Sequence, residues 1–258
     1  MTSAAVASAR PRSGPPPATK WERERWFFGS MAVAATLTIF WGFAPTYYLR
    51  PRYGTPALSW LLQLHGAVFT AWMVLYVIQT ALIATKRVTV HRRLGTVGAM
   101  LAGAMVVLGI TVALAAARRP AINLPEGFPG PLIFLVIPLG DMVAFAALVG
   151  LGLYNRRNRD INKRMMLLAT IAILNAGLGR LFFPGGVLAF LGLPPNPLTL
   201  VALTALFIVA CLVYDRTARG RIHPAFLWGG LFILAMDLGR LALGGTAAWL
   251  TFARWLTS

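Results

Sequence analysis

The chain has 258 residues, of which 58% are hydrophobic and 12% charged, a balance that excludes a water-soluble globular protein and indicates a membrane one. Its 24 Lys and Arg against 7 Asp and Glu would suit nucleic acid if the protein were soluble. Here the basic residues sit in short turns between apolar runs, so they read as topology determinants and contacts for anionic lipid head groups, with no nucleic-acid surface.

Residues 1–25 form a basic N-terminal tail. Through Pro17 it is rich in Ala, Pro, Ser and Arg and is expected to be disordered, because it has too little apolar surface to bury. It lacks an early apolar core, so no cleaved signal is expected. A charged and aromatic collar, KWERER, closes it at Lys20 to Arg25. Seven apolar segments follow at about 27–48, 57–84, 95–117, 131–154, 165–183, 198–214 and 225–244. Each approaches or exceeds the roughly 20 residues that cross a bilayer as helix. The expected fold is therefore all-α: a polytopic bundle of seven transmembrane helices over residues 26–245.

The second segment is the most legible. It carries no formal charge, and His65, Phe69, Trp72, Tyr76 and Gln79 recur at helical spacing on one face, which is expected to look inward. In the third, Gly95, Gly98, Ala99, Ala102 and Gly103 permit close helix approach. Residues 246–258, with Trp249, Phe252 and Trp255, are expected to form a short interfacial helix. Alternate loops differ sharply in charge: the tail and the second, fourth and sixth turns hold seventeen Lys and Arg, the opposite side five. Positive residues gather inside, so the N-terminus is expected in the cytoplasm and the C-terminus outside.

Five ionisable residues fall inside the segments: His65, Asp141, Arg180, Asp237 and Arg240. A charge at the bilayer centre costs about 2.5 to 3.5 kcal/mol on insertion scales, so such groups pair or face water. Counting along the spans places all five in the outer half, and Asn175 and Gln63 are candidates to extend a network there. This is the candidate ligand or proton site. At the inner surface His91 and His223 stand at helix ends, with Asp215 and Arg221 nearby. Together with His65 they are the possible haem or metal ligands, but only His65 lies within a span, so a buried bis-histidine haem is not available. His65 with Met142 or Met236 would be a mixed alternative. The Phe69, Trp72 and Tyr76 stripe suits a quinone, a porphyrin or simply bundle core. No phosphate loop, nucleophile and base pair, or HExxH occurs, so enzymatic activity stays open.

At LHGAVFTAW, VHRRLGTVG, NKRMMLLAT, RGRIHP and AWLTFARWL the chain resembles a group of uncharacterised bacterial seven-helix membrane proteins. The resemblance runs from about Trp60 to the C-terminus and implies a multi-pass protein of the bacterial inner membrane. In that group the position of Asn162 is often histidine, so an inner-face site of three histidines is not implied for this chain. A more distant resemblance, to transmembrane b-type cytochromes, implies haem b.

Three functions fit these observations. The first is a membrane protein binding or conducting a small ligand or protons through its outer-half polar site. The second is a redox protein holding haem or quinone, and the third a scaffold subunit.

Overall fold

The computed structural model describes residues 19–119, 130–182, 186–193 and 196–258, and helix is the only regular structure among them. The first helix, α1 (Lys20–Phe43), opens on a capping box in which Thr19 and Glu22 satisfy each other's backbone N–H groups. The collar at Lys20 to Arg25 is therefore the start of a helix rather than the end of a tail. The disorder expected through Pro17 falls on residues that lie outside the described ones. After α1 come α2 (Trp60–Ala84), α3 (Val88–Ala117), the single turn α4 (Pro131–Phe134) and α5 (Val136–Tyr154). Then follow α6 (Arg159–Ala172), α7 (Asn175–Arg180), the single turn α8 (Val187–Phe190), α9 (Pro197–Arg219), α10 (Pro224–Gly244) and α11 (Ala247–Thr257).

Among the described residues six stretches are long and apolar enough to cross a membrane: Lys20–Tyr48, Trp60–Ala84, Val88–Ala117, Pro131–Tyr154, Pro197–Arg219 and Pro224–Gly244. They correspond to six of the seven expected segments. The other, at 165–183, is broken into α6 and α7 with Ile173 and Leu174 between them. The local sequence explains the break. Thr170, Ile171 and Ile173 are β-branched, and Asn175, Gly177 and Gly179 are poor helix formers, so little local preference holds the helix through this point.

This interrupted element is also the most enclosed. Leu167, Leu168, Ala169, Thr170, Ile171 and Leu174 are all 0 % exposed. Helices α1, α5, α9 and α10 pack round α6, and α1 and α9 continue against α7. The α1–α7 crossing is backbone on backbone, since a Cβ at Gly42 would stand 2.3 Å from the Gly177 carbonyl oxygen.

Polar contacts identify the two ends of the bundle. At the basic end Lys163 of α6 pairs with Glu24 of α1 at 2.7 Å, and Arg219 of α9 with Asp160 of α6 at 2.9 Å. At the far end Arg118 donates from Nε to the Thr257 carbonyl at 3.0 Å, and Trp249 of α11 donates to the Leu132 carbonyl at 2.8 Å. There α11 joins Ala113, Ala117, Leu135 and Val136 in a small second core through Trp249 and Ala253, while Phe252 and Trp255 point outward. Residues 120–129, 183–185 and 194–195, in the loops before α4, before α8 and before α9, lie beyond the described residues.

Candidate functional site

The far half of the bundle contains a closed polar cluster drawn from four helices. Arg240 of α10 donates to Asp141 of α5, to Asp237 one turn earlier on α10, and to the Ile137 carbonyl at 3.2 Å. Asn175, the first residue of α7, donates to Asp237 at 3.2 Å and accepts from the Thr204 hydroxyl of α9 at 2.9 Å. All five side chains are buried, Thr204 fully and Arg240 at 7 %. The break in the central helix is what makes Asn175 available here: it sits at the restart of the helix, facing α9 and α10.

Two carboxylates around one guanidinium leave a formal charge of −1, and Asp237 Oδ2 is buried without a hydrogen-bond partner. Beside the cluster, between α5, the start of α9 and the end of α10, lies an open cleft of about 770 Å³. Its walls are mostly aliphatic, with Ile137, Leu198 and Leu241 among them. Asn196 and Thr199 are polar, and among the described residues Arg240 is the one charged side chain on its surface. Volume and lining match those of small-molecule sites.

Of the residues singled out in the sequence, Asp141, Asn175, Asp237 and Arg240 are brought together here; His65 and Arg180 are not. Arg180 lies five residues beyond Asn175, a rotation of roughly 140° that carries it to the other side of α7. There Arg180 donates to the Ala176 carbonyl at 2.9 Å and stacks over Phe43 at 4.1 Å. His65 stacks on Phe69, ring centroids 4.1 Å apart. Gln63 is exposed and donates to the Leu58 carbonyl, so it does not extend the cluster. Trp72 donates to Thr170 at 3.3 Å and meets Phe145 edge-on, which makes the inner part of the aromatic stripe core. The Met142 sulfur packs against Gly109 of α3. Thr204 was missed in the sequence, where a lone threonine among aliphatics carries no spacing signal.

A second polar cluster occupies the basic end, and its centre was also missed. Arg164 and Asp215 are both 0 % exposed and form a two-point pair, with the Nε contact at 3.1 Å. Arg164 also contacts Asp160, which is held by Lys163 at 2.7 Å and by Arg219 at 2.9 and 3.1 Å. In the sequence Arg164 reads as one more basic loop residue, yet here it is a core side chain lying over the Phe226 ring.

His223 donates its backbone N–H to Asp215 at 3.0 Å and accepts the Ala225 N–H on Nδ1 at 3.1 Å, which caps α10. Burial lowers its basicity. His91 lies on α3, its carbonyl bound by Gln79 at 3.2 Å. Helix α3 packs on α2 and α5, whereas α10 packs on α5, α6 and α9, and the His223 Nδ1 is already in use. Among the described residues no group of three or more His, Cys, Asp or Glu could hold a metal. Compared with protein-family models, curated proteins and solved structures, the chain matches none.

Proposed function

We propose that the protein is a seven-span protein of the bacterial inner membrane, N-terminus in the cytoplasm, that binds a small amphipathic molecule in the far-end cleft against Arg240. Lys163 at the start of the α6–α7 pair meets the beginning of α1, and Arg180 at its end meets Phe43 at the end of α1. The 159–180 stretch, roughly 33 Å at 1.5 Å per residue, therefore runs the length of a full crossing and supplies the seventh. The charge asymmetry between the two ends supports the orientation.

The observation that carries the functional reading is the cleft with Arg240 as its one charge, clamped by Asp141 and Asp237. The two carboxylates offset the guanidinium, so the wall offers N–H donors without net positive charge. Such a wall suits a neutral head with an acceptor oxygen on an apolar body. Between this cluster and the basic end, Phe145, Leu148, Leu168, Ile171 and Ile233 are each 1 % exposed or less. That apolar layer favours binding over a proton path across the bilayer. The test uses decanol, decanoate and decylammonium, read as shifts in the unfolding midpoint of the wild type and of Ala202→Trp, which fills the cleft. Decanol is expected to stabilise the wild type most and the filled variant not at all; equal shifts in both would overturn the reading.

A further inference from the structure

The far end holds a second feature that the cleft does not use. Buried polar atoms normally have partners, and an unpartnered one calls for a missing water, ion or ligand. Among the described residues three such atoms belong to the turn after α1, the start of α2 and the end of α7: Thr46 Oγ1, His65 Nδ1 and Arg180 Nε. All three can donate a hydrogen bond. Among the described residues no carboxylate pairs with Arg180, whose side chain meets only the Ala176 carbonyl and the Phe43 ring. The adjoining chain, Ala44–Tyr48, forms a π-helical turn containing Pro45, a distortion frequent at functional sites. It seats the Tyr47 ring on Gly66, beside His65, where any Cβ would collide with the ring at 2.2 Å.

The Arg180 guanidinium over Phe43, without a counter-charge among the described residues, and the His65 imidazole on Phe69 lie close enough for their charges to interact, and together they form a donor pair for an acceptor. We infer that Arg180 and His65 bind an oxyanion, a carboxylate or phosphate, on the side of α7 facing away from the Arg240 cluster. The anion supplies the missing negative charge and the missing acceptor together, and the aromatic rings flank the apolar part of its carrier. Its source is either the head group of an anionic lipid or a free anion.

Isotope-labelled histidine gives the readout, with the His65 resonance assigned from His65→Gln and those of His91 and His223 as internal references. The probes are phosphatidylglycerol in bicelles, phosphatidylcholine as the neutral control, inorganic phosphate and acetate. The expected result is a saturable shift of the His65 resonance with phosphatidylglycerol, phosphate or acetate but not with phosphatidylcholine. In Arg180→Gln the apparent affinity should fall at least about tenfold, the loss for one charge-assisted hydrogen bond. A shift with phosphatidylglycerol alone assigns the lipid head group; a shift with phosphate or acetate assigns a free anion. Arg180→Lys keeps the charge and serves if the glutamine variant does not fold; its loss should be smaller but measurable, because the Nε–H is gone. No shift with any anion, or an equal shift in the Arg180 variants, overturns the inference.

Discussion

Charge balance in the Asp141, Arg240 and Asp237 cluster ranks a set of substitutions that a generic packing role would not. With formal charge −1 in the wild type, Asp237→Asn brings the cluster to zero and leaves Arg240 paired with Asp141. It also leaves Asn175 a side-chain oxygen to donate to. Asp141→Asn has the same charge effect, with Arg240 kept by Asp237. Arg240→Met takes the cluster to −2 and strands both carboxylates among buried side chains.

Stranding a partner of a buried pair costs about 3 to 5 kcal/mol, and a single neutral hydrogen-bond exchange about 1 kcal/mol. The expected order of destabilisation is therefore Arg240→Met far above Asp141→Asn, with Asp237→Asn smallest because its Oδ2 has no partner to lose. The triple change to Met at 240 with Asn at 141 and 237 should recover most of the loss. Reversible unfolding in mixed micelles measures all four. An Arg240→Met variant as stable as the wild type, or an Asp237→Asn variant more damaged than it, would refute the reasoning.

The glycines give a geometric ladder. A Cβ at Gly42 meets Gly177 backbone at 2.3 Å, one at Gly177 meets the Ile39 side chain at 3.0 Å, and one at Gly103 meets nothing within 4 Å. Gly42→Ala should cost at least about 1 to 3 kcal/mol, Gly177→Ala less and Gly103→Ala nothing, by the same unfolding assay. Acid should destabilise the basic end. His223 is less basic in the folded protein because it is buried, so its contribution is full above its unfolded value of about 6.5 and declines as the pH falls below it. In a stability-versus-pH profile His223→Asn, which keeps an α10 cap, should remove this decline; a profile unchanged from the wild type would contradict this.

The helical class and the six long apolar helices were legible because apolar length is written directly in composition. The fifth segment was located, but its break was not foreseen: a run of Leu, Ala and Ile satisfies hydropathy whether the helix is continuous or not. Four of the polar residues expected in the outer half do meet, because each is costly in lipid and Asp237 and Arg240 already share a helix face. That reasoning fixes depth but not azimuth. It therefore grouped His65 and Arg180 with residues on the opposite side of α7. Arg164 shows the complementary failure, since position at a segment boundary does not say which of five nearby basic residues turns inward to meet Asp215.

The cleft is tested most directly by chemistry at its wall. Cys211, the single native cysteine, is buried, so Ala202→Cys places one reactive thiol in the cleft. Its rate of alkylation by N-ethylmaleimide in membranes should fall saturably as decanol is added, and that protection should disappear when Arg240→Lys is introduced alongside it. An alkylation rate indifferent to decanol, or protected equally in both backgrounds, would contradict the account.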